Sequence, residues 1–344
     1  MASVAVVGAG VTGLVTAIGC ARAGHRVTVF DLGPIPNPAS ASSDQHRALR
    51  VLRPGDVDGT RRMAEARRRW LELESVLRTR IFRPVGVVTA GTRDEVEQAL
   101  GTAREVGLPA VAVSPEALSP VAFPAGTGGV LDPDAGVLLA ERFLRAAAEW
   151  LAAHPAVELR PRRAVVDVGD HRVTLADGTA AGADLVLVAT GPGSTEPVEQ
   201  SVTLYRQTMI YLRPPENLAG WWASAPGVGR IGAARTAWLL PPGAGTLLKI
   251  SSDAVCRRVT STVDDDREPW AERLLAEPIL TVATDYTVVG VRDCHYAADP
   301  VDDGPMLTRI HPSVWTRPAC GGSGFAAAPL VAEEILGAVL EVSA

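Results

Sequence analysis

The sequence predicts an α/β protein in which a nucleotide-binding βαβ domain is interleaved with a second domain built on a mixed or antiparallel sheet. Three observations lead there. The chain opens on a strand, a glycine loop, a helix and a strand; two stretches of different texture interrupt the α/β pattern; and the C-terminal part returns to a glycine turn followed by an apolar helix. At 344 residues there is room for two domains or one large α/β unit.

The first unit spans residues 3–31: strand "SVAVVGAG", helix "VTGLVTAIGCARAG", strand "HRVTVFD". "GAGVTG" places Gly8, Gly10 and Gly13 in G-x-G-x-x-G spacing. Gly8 permits the tight turn, Gly10 lets backbone approach a pyrophosphate, and Gly13 lets the helix pack on the strand. Phosphate then sits against free N–H groups at the helix N-terminus. Asp31 closes the second strand about 20 residues on, where a carboxylate accepts hydrogen bonds from ribose hydroxyls. A glycine-rich turn of purely structural use is the alternative, but strand, helix and acid together favour a Rossmann-like dinucleotide site.

Further along, "RRMAEARRRWLELE" (61–74) reads as the solvated face of a helix rather than a phosphate-binding patch. Residues 138–154 have helical apolar spacing. "HRVTLADGTAAGADLVLVATG" alternates around Asp177-Gly178 as a hairpin, and "DLVLVATG" reads as a buried parallel strand ending at Gly191. Residues 83–135 are rich in Pro, Gly and Val, whereas 201–290 carry strand-like runs such as "VTLYRQTMIYL" and "TLLKISSD". The nucleotide domain is therefore expected over 1–82, 136–200 and 291–344, and the second domain over 83–135 and 201–290.

Net charge is −6, so no basic field recruits nucleic acid or an anionic membrane. No apolar run approaches the ~20 residues that span a bilayer. The four cysteines, Cys20, Cys256, Cys294 and Cys320, have no zinc-like spacing, and the six histidines form no metal motif. With a strand so near its start, no signal peptide is expected, and a reducing cytoplasm is the expected compartment. Lys249, in "TLLKISSD", is the sole lysine; the other 32 of 33 basic residues are arginines. Heavy Ala, Arg, Gly and Pro usage resembles a high-GC genome, so survival by drift is one explanation. The other is a position that needs an ammonium group, since lysine and arginine differ most at reactive sites.

Six motifs, in order, resemble the D-amino-acid oxidase superfamily, most closely the branch of monomeric sarcosine oxidase, N-methyltryptophan oxidase and antibiotic-pathway flavin oxidases. They are "GAGVTG" with Asp31, "SSDQHRALR" (42–50), "LVATGPG" (187–193), "LLKI" (247–250), "DCHY" (293–296) and "GGSGF" (321–325). The resemblance implies FAD rather than NAD, with a flavin domain built from three chain segments and a substrate domain laying a sheet over the isoalloxazine. It implies hydride transfer from an amine α-carbon to flavin N5, giving an imine, and reoxidation by O2 with release of H2O2.

Residue by residue, the resemblance makes Lys249 the oxygen-activating lysine, a compact charge able to hold a water at the flavin and to offset nascent superoxide. Cys294 matches the cysteine that carries flavin covalently at its 8α-carbon, with Arg292 and His295 as neighbours that lower its pKa; a small buried hydrophobe is the alternative. Cys20 is expected in the core, and Cys256 and Cys320 are unassigned. Ser42 and Ser43 fall where the family binds the pyrophosphate or ribityl chain, and His46 and Arg47 near the ring. Val165, Gly191, Gly322 and Gly324 complete the expected cofactor contacts. Arg50 corresponds to a substrate-carboxylate arginine, unless it only anchors the loop through an internal salt bridge. Three departures bear on the substrate: Ser323 replaces a histidine, Ala326 a second carboxylate-binding lysine, and Asp253 another histidine. With the carboxylate clamp half missing, a larger amine, a carrier-tethered aminoacyl group or a cyclic amine fits better than a plain N-methyl amino acid. Asp253 and Tyr296 join Lys249 and Arg50 as candidate catalytic residues. Tyr205, Tyr211, Tyr296, Trp221 and Trp222 are either a stacking wall or ordinary core and surface aromatics. Rival readings are a flavin dehydrogenase or desaturase serving a partner, a nicotinamide dehydrogenase, and a non-catalytic flavin protein.

Overall fold

The computed structural model describes residues 1–192, 201–263 and 266–343. Gly193 of "LVATGPG" and the end of the expected segment 136–200 lie outside these residues.

Six strands form the first sheet, in the order Pro305–His311, Val314–Cys320, Leu185–Val188, Ser3–Val7, Arg26–Asp31, Val157–Pro161. Every pair is parallel except the one at the Pro305–His311 edge. Leu185–Val188 is buried at all four positions, which explains its unbroken apolar run: a central parallel strand is covered on both faces. On one face lie the helices Val11–Arg22, Val57–Leu77, Ala140–Ala153 and Gly324–Ser343, enclosing the main apolar cluster. At its centre Trp70 stacks on Phe325 with 5.5 Å between centroids and meets Phe143 edge-on at 4.9 Å. Its indole N–H donates to the Ala326 carbonyl at 2.9 Å, so the buried ring leaves no donor unmet. Residue 326 is thus committed to the core at its backbone. Cys20 is fully buried among these helices, and burial pushes its thiol up to about 12.

The charged stretch on Val57–Leu77 is a solvated ladder: Arg68 and Arg69 each reach Glu65 and Glu72 one turn away. Arg172–Leu175 pairs antiparallel with Ala180–Gly182 around Gly178, which takes φ +82°. The last helix starts at Gly324, ahead of the apolar run "LVAEEILGAVLEV", and carries Pro329 inside it.

The second sheet has nine strands and is mostly antiparallel. Its one parallel pair joins Gly227–Ile231 to Val87–Gly91, welding the two inserted stretches into one layer. Thr203–Arg213 lies next to the last strand at one end of this sheet. It pairs with Leu248–Ser252 and Cys256–Val259 along one edge, and with Thr287–Ala298 along the other. That last pairing corrects the expected boundary at 291. The twelve-residue strand Thr287–Ala298 belongs to the second sheet throughout, and the chain returns to the first sheet only at Pro305. Alternation sorts the residues: Ile210, Leu212, Leu248 and Ile250 enter the second apolar cluster, while Tyr211 and Lys249, paired in register, face the other way.

Candidate active site

At the glycine loop, sterics set the sequence. Gly8 has φ +104°, and a Cβ there would lie 2.3 Å from the Ala189 carbonyl oxygen. A Cβ at Gly13 would lie 1.9 Å from the Gly8 carbonyl. Gly10 caps the first helix with no side chain of its own. The Val11 N–H, freed at this helix start, donates to Ser42 Oγ at 2.9 Å. Asp31 accepts from Ala9 N–H at 2.8 Å with one oxygen, and from Gly33 N–H at 2.8 Å and Asn37 Nδ2 at 3.1 Å with the other. A carboxylate has about four acceptor positions, so capacity for one further donor remains. Gly191, φ +76°, leaves open space where a Cβ would stand. Val165 opens the strand Val165–Gly169 and packs against the apolar cluster that includes Phe30 and Val188. Ser43 donates its backbone N–H to the Ser40 carbonyl. A helix N-terminus at a glycine loop, a hydroxyl standing at its first N–H and an acid tied to the same loop fit the diphosphate and ribose of a dinucleotide.

The loop 42–50 then crosses to the second sheet. Gln45 Oε1 accepts from Leu247 N–H at 2.8 Å, fixing it to the strand end. Lys249 is 1% exposed, and its Nζ donates to Asp44 Oδ2 at 2.8 Å and to the His46 carbonyl at 2.6 Å. Tyr211 and Trp238 rings lie 6.0 and 5.8 Å from the same nitrogen. Burial drives the Lys249 pKa well below the lysine range, Arg47 and Arg292 push the same way, and Cys294 opposes. The Asp44 contact is what favours the ammonium form at this depth. Asp44, absent from the sequence expectations, is the hub: it also accepts from Tyr211 OH at 2.7 Å and pairs with Arg47. Two cations share one carboxylate, so the cluster keeps a net positive charge. His46 is fully buried with both ring nitrogens unpartnered. Burial lowers its pKa well below the ordinary value, helped by Lys249 and Arg83, with the Leu240 carbonyl pulling weakly the other way.

Cys294 lies on Thr287–Ala298 opposite Gln207. Arg47 Nη2 approaches its sulfur at 3.6 Å while also donating to the Ala41 carbonyl at 2.8 Å. His295 corrects the expected environment. Successive strand residues face opposite ways, and His295 Nε2 accepts from Arg206 Nε at 2.8 Å on the far side of the sheet. The cation at the thiol is Arg47.

Arg50 and Asp253 are both exposed to solvent. Arg50 forms no hydrogen bond or ion pair with a described residue, which removes the loop-anchoring alternative within that set. Burial lowers its pKa, Asp253 opposing; burial raises that of Asp253, Arg50 opposing. Tyr296 stacks on Tyr205 with centroids 5.1 Å apart, and its hydroxyl lies 3.4 Å from Cys256 Sγ. Burial, then Cys256, holds its pKa far above the usual tyrosine range. Gly322, φ +74°, sits beneath the Tyr296 ring: a Cβ there would be 3.7 Å from it. Gly324 packs on Cys320, where a Cβ would come within 2.5 Å. Trp221 and Trp222 are no part of this wall. They pack in the second apolar cluster, where Trp222 Nε1 donates to Tyr286 OH at 3.1 Å.

A dinucleotide loop on one sheet, joined through a single segment to a buried ammonium and a thiol on another, defines a two-sheet, dinucleotide-dependent oxidoreductase. The chain belongs to the family of FAD-dependent oxidoreductases (DAO), whose family model matches residues 3–336. No curated protein matches the sequence. Among solved structures it is similar to a variant of NikD, an unusual amino acid oxidase essential for nikkomycin biosynthesis (TM-score 0.80, 19% identity, 99% of this chain and 94% of that one). It is similar to fructosyl amine:oxygen oxidoreductase, amadoriase I, of Aspergillus fumigatus (TM-score 0.77, 20% identity, 99% and 86%). It is also similar to L-proline dehydrogenase of P. horikoshii (TM-score 0.82, 16% identity, 98% and 93%). At these identities the likeness carries the fold.

Proposed function

We propose that the protein is an FAD-dependent amine or amino-acid oxidase with O2 as acceptor. The observation that carries this reading is Lys249: the sole lysine of the chain, buried, and held by Asp44 and the His46 carbonyl on the sheet face it shares with Cys294. FAD held by the glycine loop, Ser42 and Asp31 would supply the acceptor for a hydride from the substrate C–H bond and the route of those electrons to O2. Lys249 offsets the negative charge that develops on O2, and does so without reorganisation because its partners fix it beforehand. Lysine spends two of its three donors on those partners and keeps one free. Arg50 takes an anionic group of the substrate, and the Tyr205–Tyr296 stack excludes water beside it. The amine binds already neutral, so no dedicated base is needed. Cys294, with the Arg47 guanidinium at its sulfur, is the proposed point of covalent cofactor attachment.

Two measurements test this. Lys249→Met should slow reoxidation by O2 about a hundredfold while leaving anaerobic reduction by an amine nearly intact; equal slowing of both half-reactions would sink the oxygen role. After acid precipitation, the yellow colour should stay in the pellet for wild type and leave it for Cys294→Ala. Colour in the supernatant from wild type would reduce Cys294 to packing. The likeness to L-proline dehydrogenase favours a second reading, in which electrons pass to a partner. Turnover that needs an artificial acceptor even in air would select it.

A further inference from the structure

Every acceptor position of the Asp44 carboxylate is taken. Its Oδ1 accepts from Tyr211 OH at 2.7 Å and from the Gln45 N–H at 2.6 Å. Its Oδ2 accepts from Lys249 Nζ at 2.8 Å and pairs with Arg47 Nη1. A carboxylate has about four such positions. Lys249 and Arg47 therefore meet on a single oxygen, and a firmer hold by one leaves less of it for the other.

Arg47 has a second engagement. Its other terminal nitrogen, Nη2, donates to the Ala41 carbonyl at 2.8 Å and approaches Cys294 Sγ at 3.6 Å. The sulfur lies 3.8 Å from the same carbonyl oxygen. Contacts thus run unbroken from Cys294 Sγ through the guanidinium and Asp44 Oδ2 to Lys249 Nζ. Solvent screens little of this chain: Lys249 and Asp44 are buried, and the Arg47 side chain is 17% exposed.

The other neighbours of Lys249 are the His46 carbonyl, the Tyr211 and Trp238 rings and, at longer range, Arg292, whose guanidinium reaches the Pro38 carbonyl at 3.5 Å. The buried His46 imidazole is neutral, because burial, Lys249 and Arg83 all disfavour its charged form. Arg47 is the described residue that touches both Asp44 and Cys294.

The charge on the sulfur decides where the guanidinium settles, since opposite charges in so dry a place attract strongly. Beside a charged sulfur, Arg47 is drawn towards Cys294 and leaves Asp44 Oδ2 to Lys249. Beside an uncharged sulfur it stays on Asp44 and competes for that oxygen. We infer that Arg47 is a positioning residue for Lys249, set by the charge on Cys294: an uncharged sulfur loosens the hold of Asp44 on the ammonium. Burial is the main cause of the lowered Lys249 pKa; Arg47 and Arg292 add to it and Cys294 opposes, the signs this arrangement requires. The inference rests on the reading that Cys294 carries the cofactor and Lys249 serves O2. Anchoring, which leaves the sulfur uncharged, then changes how the oxygen-reducing cation is held.

The sole lysine makes the test direct. Protein grown on lysine isotopically labelled at Cε gives one lysine signal in an NMR titration, and that signal reads Lys249 in the cofactor-loaded protein without turnover. Cys294→Asp and Cys294→Asn match in size, differ by one charge, and cannot anchor a cofactor through sulfur. The Lys249 midpoint should lie about one unit or more higher in Cys294→Asp, the shift a nearby opposite charge brings. Adding Arg47→Met gives Lys249 the oxygen to itself, so both midpoints should rise and their difference should shrink towards zero. Arg47→Gln makes the same comparison if Arg47→Met does not fold. Equal midpoints in Cys294→Asp and Cys294→Asn would overturn the inference. So would a difference undiminished without Arg47, which would leave only direct attraction through space. Coupled midpoints in a protein that yields its colour to acid would support the inference and sink the anchor. Colour held in the pellet with uncoupled midpoints would do the reverse.

Discussion

Lys249 and Arg50 stand on neighbouring elements of one site, and their surroundings differ in kind. Lys249 is 1% exposed and closed by a carboxylate, a carbonyl and two aromatic rings. Arg50 is accessible and has no described partner. A cation whose donors are answered from within is part of the scaffold and acts through its fixed charge. One that is exposed and that no described residue answers remains available to a group that arrives.

The contrast is open to direct attack. The largest effect belongs to Asp44→Asn, which leaves Lys249 and Arg47 as buried cations without their shared carboxylate. It should lower unfolding free energy by about 3–5 kcal/mol, read from the denaturant midpoint; a loss near zero would mean that the hub contributes nothing to the fold. Arg50→Met comes next, and its effect is on binding rather than folding. Affinity for carboxylate ligands should fall by about ten- to a hundredfold, the range for a charge-assisted contact, with stability within about 0.5 kcal/mol of wild type. If Arg50→Met instead unfolds the protein, the two regions do not differ. The smallest effect is at Asp253, where burial raises the folded-state pKa above the ordinary 3.8. Between 3.8 and that raised value the folded state holds more protons than the unfolded chain, so stability falls as pH rises through this window. Asp253→Asn removes the penalty and should be slightly more stable than wild type above the window, by no more than about 0.5 kcal/mol after solvent screening. Thermal midpoints that converge as pH rises would contradict the sign.

Much of this architecture is legible in the sequence because it is local. Gly8, Gly10, Gly13 and Asp31 lie in one βαβ unit, and the pattern of the strands around them declares their geometry. Asp44 is the opposite case. An aspartate in a serine-rich loop has the composition of a turn, and its importance comes from a lysine 205 positions away. A signal existed all the same: a lysine within the apolar run "TLLKI" must be buried, and a buried ammonium requires an acid. The faces of Cys294 and His295 were legible too, since adjacent strand residues point oppositely. The boundary near 291 was not, because nothing local says that Thr287–Ala298 pairs with Thr203–Arg213 rather than with the first sheet. Trp221 and Trp222 show the same limit: an aromatic pair looks alike in sequence whether it lines a site or fills a core.

Nine residues, 42–50, perform four separate tasks. Ser42 stands at the first helix, Asp44 holds Lys249, Arg47 reaches Cys294, and Arg50 presents its guanidinium beside Gly229. Gln45 pins this segment to the second sheet, and the Arg47–Leu49 strand pins it to Gly136–Leu138 in a separate three-stranded sheet, so its length works as a gauge. Exchanging any one side chain disturbs one task, but inserting or deleting a single residue shifts all of them out of step. Variation between natural forms of this protein should therefore appear there as substitution and almost never as a change in length.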